Sequence, residues 1–256
     1  MACCASSMRT AVSLGENNTM TSTLSTNVQM QFMRPEELES AARAFPVVYV
    51  PFGLIEWHGR HLPMGTDALK AHAILVKTAE KFGGVVYPPV YFPHGAHSIN
   101  MPVVSKLFQK LKESGFRAIV GVSGHNIPQQ IQMIEKALEP VTADGTVAGV
   151  GLWEMTLSKG EEADSDHASK WETSDMMFFY PGLVDMPALG DAPLTREDGL
   201  NGLDPREHAS PEVGRRKAEL SSDAIGRKAQ ELLESLPEEE RSFRLEAVTP
   251  ENWWCI

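Results

Sequence analysis

Short apolar runs rich in valine and isoleucine alternate with longer amphipathic stretches from Pro35 onward. This alternation predicts βαβ units built around a parallel sheet. The predicted strands cover 47–50, 85–90, 118–122 and 147–153, and the predicted helices cover 68–82, 103–114, 128–138, 171–179 and 211–236. We therefore expect one α/β domain, a three-layer αβα sandwich with a mainly parallel central sheet.

Residues at the ends of these runs favour the same boundaries. Asp67 is a suitable N-cap for the first long helix, Gly83 and Gly84 end it, and Pro128 suits the first position of a later helix. The prolines at 88–89 place the second strand at a sheet edge or a strand end, because proline has no N–H to donate. The Gly- and Pro-containing stretch 181–210 is expected to be an extended loop of the domain.

The amino-acid composition of the two ends of the chain differs from that of the predicted domain. Residues 1–29 are rich in Ser, Thr and Asn without a long apolar segment. They predict a disordered extension, or a start codon placed too early ahead of Met30 or Met33. The single domain is expected over 30–236, followed by a charged tail, 237–256, that ends in "NWWCI".

The overall charge and the cysteines restrict the partners and the compartment. A formal net charge of −11 argues against nucleic acid or an anionic membrane as a partner. No apolar run approaches the roughly 20 residues of a membrane-spanning helix. All three cysteines, Cys3, Cys4 and Cys255, lie in the tails, which favours a reducing compartment and predicts a cytoplasmic protein.

Polar residues follow several predicted strands at the point where each strand ends. "GLIEWHGRHLPMGTD" at 53–67 follows the first strand, "GHN" at 124–126 follows the third, and "DSDHASKWETSD" at 164–175 follows the last. Ligand sites of open α/β sheets form outside the carboxyl ends of the strands. We therefore expect these distant segments to meet at one rim.

Taken singly, these residues also have ordinary interpretations. Asp67 serves equally well as a helix cap alone, Glu172 suits the first turn of a helix, and a lone histidine is most often a surface residue. Together, imidazole and carboxylate suit divalent ions such as zinc or manganese. Paired ions about 3.5–4 Å apart commonly share one carboxylate. The cluster therefore predicts a site for divalent ions, with Zn²⁺, Mn²⁺ and Fe²⁺ as the options.

The stretch 53–67 closely resembles the signature of the creatininase (creatinine amidohydrolase) family, G-x-x-E-x-H-G-x-H-L-P-x-x-T-D. The resemblance continues through "GHN" at 124–126, "HASKWETS" at 167–174 and "GLDPREHASPEVGRR" at 202–216, and so spans about 35–236. It implies an αβα fold with a binuclear metal centre, a homo-oligomer that is usually a hexamer, and hydrolysis of non-peptide amide C–N bonds.

The resemblance also implies roles for individual residues. The matched metal ligands are Glu56, His58, Asp67 and His125. Asp67 takes the bridging position between the ions. Some members draw a fifth ligand from a glutamate two residues after the matched histidine, where this chain has Ile127, so Glu172 is the expected substitute. His167 is expected to move protons near the scissile bond, and with Glu172 it completes the predicted catalytic residues.

Two parts of the chain depart from the family pattern. "GHNIPQQ" replaces a glycine pair with Asn126 and Ile127, which alters the pocket wall. The loop at 94–102 is shortened, which affects substrate and subunit contacts.

His61 is expected to support the ligand loop rather than bind an ion. Trp57, His97, Asn126 and Trp171 are candidate substrate contacts, although each tryptophan suits packing of the wall equally well.

The sequence therefore predicts a metal-dependent amidohydrolase that acts on a cyclic amide, linear amide or formamide of a small molecule. A metal-activated water would attack the carbonyl carbon, and His167 would donate a proton to the departing nitrogen. Two alternatives remain open. One is a peptidase that trims a short peptide, and the other is a non-catalytic, oligomeric metal-binding protein.

Overall fold

The computed structural model describes residues 24–25, 27–93, 97–155 and 166–244, and of 97–99 it describes the backbone alone. These residues form five strands: β1 (Val47–Ile55), β2 (Val85–Val86), β3 (Val90–Pro93), β4 (Ala118–Ser123) and β5 (Ala148–Trp153). They form seven α-helices: α1 (Pro35–Ala44), α2 (Thr66–Phe82), α3 (His97–Glu113), α4 (Pro128–Thr142), α5 (Lys170–Phe179), α6 (Pro205–His208) and α7 (Pro211–Glu234). None of these helices is both long and apolar enough to cross a bilayer.

The strands form one parallel sheet with β1 near its middle. β1 pairs with β4 on one side, and β4 pairs with β5, in register from Ala118↔Ala148 to Ser123↔Trp153. On its other side, β1 pairs first with β2 and then with β3. The expected mainly parallel sheet is confirmed, and all carboxyl ends meet at one edge.

Alternating residues of β1 supply the two cores of the sandwich. Val48, Val50 and Phe52 face a core with α1, α3 and α4. Val47 and Tyr49 face the opposite core with α2, α5 and α7. This period of two is that of a strand buried on both faces, and it confirms the expected αβα layers.

Three predictions were wrong in detail. Residues 97–102, predicted to belong to a loop before a helix at 103–114, already form the start of α3. The strand predicted at 85–90 is split into β2 and β3 at Pro88-Pro89, because proline cannot donate to the sheet ladder. Asp67 is not the N-cap of α2, because the helix begins at Thr66 and Gly65 occupies the cap. The Asp67 carboxylate instead accepts a hydrogen bond from the Leu54 N–H at 3.1 Å.

The ordered domain extends beyond 30–236 at both ends. Gln29, within the predicted extension, is buried and pairs with Val86, and Val28 packs against the core. Phe243, within the predicted tail, is buried against Phe116. These apolar and bridging contacts are long-range in sequence, so local composition did not reveal them. Residues 1–23 and the Trp-Trp segment lie outside the described residues.

The predicted loop 181–210 packs on the domain. It contains three short 3-10 segments, and its Leu189 and Leu200 join Leu62 and Met176 in a third apolar cluster. This cluster anchors the loop beside the end of the 53–67 segment.

Candidate metal centre

Six side chains from four segments converge at the carboxyl edge of the sheet. Each segment follows a strand or starts a helix, as expected of this edge. The side chains form three groups whose ligand atoms lie within 4.8 Å of one another: Glu56, Asp67 and His125; His58, Asp67 and Glu172; Glu56, His58 and His167. The structure thus brings together all five predicted ligands and the predicted proton-transfer histidine.

Asp67 connects the first two groups through its two carboxylate oxygens. Oδ1 lies 3.0 Å from His58 Nε2, and Oδ2 lies 3.4 Å from His125 Nδ1. The Leu54 N–H also donates to Oδ2. One carboxylate is therefore shared between two sets of donors, as expected of a bridging ligand.

Two glycines allow the Asp67 backbone to lie so close to the sheet. A Cβ on Gly53 of β1 would lie 2.2 Å from the Ala68 nitrogen. A Cβ on Gly124, just after β4, would lie 2.0 Å from the Asp67 carbonyl oxygen. Neither backbone atom can move aside without shifting α2, so only glycine fits here. The start of α2 is thereby placed against the ends of β1 and β4.

His58 and His125 face different oxygens of Asp67. His58 is fully buried, and its Nδ1 lies 3.2 Å from the Glu56 carbonyl oxygen. His125 Nδ1 lies 3.0 Å from Glu56 Oε1. The backbone turn at His125 is held by the Ser123 hydroxyl, which donates to the His125 carbonyl and accepts from its N–H.

Glu172 is presented by the first turn of α5. The N–H of Ala168 donates to Glu172 Oε2 at 2.7 Å, and Oε2 also lies 3.5 Å from His58 Nε2. Ala168 has φ of 50°, a left-handed conformation that is costly for a non-glycine residue and is found at functional sites. The Asp166 carboxylate accepts the N–H groups of Trp171 and Glu172, and so caps this turn.

His167 faces the centre with a defined ring orientation. Its backbone pairs with Asn201 in both directions, and its Nε2 lies 2.8 Å from the Trp57 carbonyl oxygen. A carbonyl only accepts, so Nε2 carries the proton and the lone pair of the neutral ring is on Nδ1. Nδ1 lies 3.9 Å from Glu56 Oε1, on the side of the centre.

Charge pairing at the centre moves the pKa of several of these groups. Burial lowers the pKa of His58 and His125, but their hydrogen bonds to Asp67 and the charges of the neighbouring carboxylates together outweigh burial and raise both pKa values to about 9. Burial raises the pKa of Asp67, but its hydrogen bonds with the two histidines and the charges of Lys70 and His58 together hold that pKa well below its usual range. In the metal-free protein at pH 7, both histidines are therefore protonated and Asp67 is ionised.

His61, which was predicted to support the ligand loop, lies outside the three groups of donors. Its Nε2 is 2.8 Å from the Thr173 hydroxyl on α5. Its carbonyl accepts the Asp185 N–H from the loop that follows α5. These contacts connect the 53–67 segment to α5, consistent with a supporting role.

The four candidate substrate contacts occupy different surroundings. Trp57 is 49% exposed at the rim, and its indole N–H donates to the Gly59 carbonyl. Trp171 is buried, with the Lys170 ammonium 3.9 Å from the ring centroid, which favours packing of the wall. The Asn126 Oδ1 is buried without a hydrogen-bond partner among the described residues. The side chain of His97 lies outside the described residues.

Sequence reasoning missed the charged residues behind the centre. Lys70, Glu154, Asp175 and Lys217 are all buried. Burial lowers the pKa of Lys70, but the charges of the surrounding carboxylates, Glu154 and Glu172 foremost, together raise it well above its usual value, so Lys70 is charged. One available signal was position: Lys70 lies three residues after Asp67 on the apolar face of its helix. Glu154 comes directly after the last strand.

The residues present fit a pair of divalent ions. Zinc–nitrogen and zinc–oxygen bonds of about 2.0–2.2 Å require donors no more than about 4.4 Å apart. The three groups, within 4.8 Å, need only small side-chain shifts to meet that limit. Asp67 belongs to two of the groups, and each of these two groups contains one imidazole. Such a donor set suits the chemistry of zinc or manganese.

An αβα sandwich with imidazoles and carboxylates gathered at the carboxyl edge of its sheet has the arrangement of a metal-dependent α/β hydrolase. The family model of creatininase (creatinine amidohydrolase) matches residues 31–235. The chain belongs to the creatininase family, which confirms the resemblance found in its motifs.

Three relatives of different activity share this similarity. The chain is 26% identical to creatinine amidohydrolase of Pseudomonas putida over 181 residues, covering 57% of this chain and 69% of that protein. It is 27% identical to the mycofactocin precursor peptide peptidase of Mycobacterium ulcerans, covering 72% and 84%. It is 25% identical to the 2-amino-5-formylamino-6-ribosylaminopyrimidin-4(3H)-one 5'-monophosphate deformylase of Methanothermobacter marburgensis, covering 72% and 88%.

Solved structures support the fold. A crystal structure of creatinine amidohydrolase superposes with a TM-score of 0.68 at 23% identity, covering 81% of this chain and 99% of that one. Two further creatininase structures, a variant of Zn-Zn type and a form with Mn, each give a TM-score of 0.66 at 23% and 22% identity. They cover 81% and 80% of this chain, and each has 98% of its own chain covered.

The pKa values of the two histidines predict that ion binding releases protons. At pH 7 both rings are protonated, and an ion needs the neutral ring, so binding releases about two protons from them. The affinity for the ions should therefore rise with pH until about pH 9. Calorimetric titration of Mn²⁺ in buffers of different ionisation enthalpy measures the proton count. The exposed His208 provides a control, because His208→Ala should leave the count unchanged. Release of less than one proton at pH 7 would contradict the assignment.

Proposed function

We propose that the chain is a metal-dependent hydrolase of a non-peptide C–N bond in a small molecule. The observation that carries this proposal is the position of Asp67 between two sets of donors. Family membership supports it, since the relatives include a creatinine amidohydrolase and a formylamino-pyrimidine deformylase. The substrate class is an amide, a cyclic amide or a formamide.

The proposed ligands divide into two positions that share Asp67. Glu56 and His125 complete one position, and His58 and Glu172 complete the other. Zn²⁺ or Mn²⁺ fits both, in agreement with the Zn-Zn and Mn forms of the solved creatininases. When bound, the ions would lower the pKa of a water towards 7 and polarise the substrate carbonyl.

His167 is proposed to move the proton during bond cleavage. Its Nε2–H is held by the Trp57 carbonyl, so the neutral ring presents Nδ1 as a base towards the centre. Nδ1 would first accept a proton from the attacking water and then donate it to the departing nitrogen. The Asn201 pairing and the Trp57 carbonyl fix the ring, and the exposed Trp57 indole and Asn126 are proposed to contact the substrate.

A screen of catalysis tests the proposal directly. The protein loaded with Mn²⁺ or Zn²⁺ is assayed against creatinine, formamides and short peptides. Turnover of a small amide or formamide is expected. Turnover of peptides alone would favour the peptidase alternative, which the mycofactocin precursor peptide peptidase relative supports. No turnover in any class, with ions bound, would favour a non-catalytic metal-binding protein.

The bridging position of Asp67 predicts the metal content. The protein purified without chelator should hold close to two divalent ions per chain, and Asp67→Ala should lose both because each position loses a ligand. Elemental analysis of the folded proteins measures this content. Asp223→Ala, which removes a surface carboxylate on α7 paired with Lys81, should keep two ions. At most one ion in the unmutated, metal-replete protein would contradict a binuclear centre.

Substitutions of Glu172 and of His167 are predicted to have different effects on metal content and turnover. Glu172→Gln should weaken one ion position at least 10–100-fold, because an amide is a poorer ligand than a carboxylate. His167→Ala should keep both ions and lose roughly 10²–10⁴-fold in turnover. Metal content and rate are measured on the same samples. Loss of an ion from His167→Ala, with both retained by Glu172→Gln, would show that the two roles are reversed.

We also propose that the protein is a homo-oligomer, most consistent with a hexamer. Apolar side chains are exposed near the β3 edge of the sheet, where Ile55, Met64 and Tyr91 lie, and on α3 at Val103. Burial of this surface between copies would stabilise an assembly. Light scattering at micromolar concentration should give a multiple of the 28.1 kDa chain mass. A mass of one chain would contradict the proposal.

We propose a cytoplasmic location as well, from the placement of all three cysteines in the tails. Cell fractionation checks it, and recovery of the protein from an oxidising compartment would contradict it.

A further inference from the structure

A buried series of alternating charges lies directly behind the proposed centre. The Lys70 ammonium is 2.7 Å from Oε1 of both Glu154 and Glu172. The Lys217 ammonium contacts the Asp175 carboxylate and lies 3.8 Å from Glu154 Oε1. Each of these five residues is at most 3% exposed. Solvent therefore contributes little to balancing their charges, and the two lysines supply the nearest positive charges within the series.

Glu172 divides its two oxygens between this series and the proposed centre. Oε1 is paired with Lys70. Oε2 accepts the Ala168 N–H and faces His58. The carboxylate is therefore held at both oxygens, and it has a cationic partner that does not depend on an ion.

We infer that Lys70 is a positioning residue that acts as the resident counter-ion of Glu172, keeps the centre assembled without ions, and competes with an ion for this carboxylate. The inference rests on the proposed metal centre with Glu172 as a ligand. An unpartnered charge of this kind is strongly destabilising when buried. A divalent ion arriving beside Glu172 meets a carboxylate that is already paired, and it is repelled by the ammonium.

The chain offers a matched control for this role. Lys217 is as deeply buried as Lys70 and pairs with carboxylates of the same series, but its partners there are Asp175 and Glu154 rather than Glu172. Lys217→Met thus removes a buried cation of the same kind without removing the partner of a proposed ligand. Lys70→Met removes that partner and keeps a chain of similar length and volume.

The experiment compares melting temperatures of chelator-treated and Mn²⁺-saturated proteins. Lys70→Met should lower the melting temperature of the metal-free protein by on the order of 10 °C, the size expected when one partner of a buried pair is removed. Mn²⁺ should recover much of this loss, because the ion supplies the missing positive charge. The rise caused by Mn²⁺ should therefore be several degrees larger in Lys70→Met than in the unmutated protein. Lys217→Met should lower both temperatures and leave the rise unchanged.

The affinity for Mn²⁺ provides a second measurement. Competition with a chromophoric chelator should show at least tenfold tighter binding at one position in Lys70→Met, since stabilisation by a ligand and its affinity for the folded state are linked. An equal or smaller rise in melting temperature, with equal or weaker binding, would overturn the inference. Such a result would show that Lys70 is only structural or supports the ion-bound state.

If Lys70→Met folds neither with nor without Mn²⁺, a double variant is compared with the unmutated protein instead. Lys70→Met/Glu154→Gln removes one cation and one carboxylate, so Glu172 loses Lys70 while Lys217 keeps Asp175. A larger Mn²⁺-dependent rise than in the unmutated protein supports the inference, and an equal or smaller rise overturns it. Absence of any bound ion or rise in the unmutated protein would instead overturn the proposed metal centre itself.

Discussion

The carboxylate of Asp67 is the interaction on which both the fold and the site depend. It accepts the Leu54 N–H at the end of β1 while its two oxygens face His58 and His125. The same contact that docks α2 onto the sheet therefore orients the shared donor. The close approach allowed by Gly53 and Gly124 makes this placement rigid, because a side chain at either position would collide with backbone.

The carboxylates gathered at this edge of the sheet need positive charges nearby. Some of these charges come from residues behind the site. Glu56, Asp67 and Glu172 gather in a region of low exposure, and an unbalanced cluster of this kind would repel itself. In the metal-free protein the balance comes from two protonated imidazoles on one side and from Lys70 on the other. A cluster built for divalent ions is thus kept stable by protons and an ammonium, which the ions must displace or oppose.

Most of the fold and the direct donors could be predicted from the sequence, because both are local signals. Apolar periodicity marks the strands, and "GLIEWHGRHLPMGTD" places two acids and two histidines within fifteen residues. The N-cap prediction for Asp67 was wrong because a carboxylate that begins a helix looks the same whether it bonds to the helix or to a neighbouring strand. Lys70 and Lys217 were missed because their partners lie 84 and 42 residues away, and only tertiary packing joins them.

The proposed metal ligands and the rim of the site differ in their burial. His58, Asp67 and Glu172 are buried and held by backbone or charge on every side, so substitution there alters the centre itself. The backbone carbonyl of Trp57 accepts a hydrogen bond from His167, and the residue itself is half-exposed at the rim. One residue thus connects the proposed proton-transfer histidine to the rim where a substrate is proposed to bind. Changes at this rim can alter the bound molecule while the donors stay in place, which is how one fold supports several substrates.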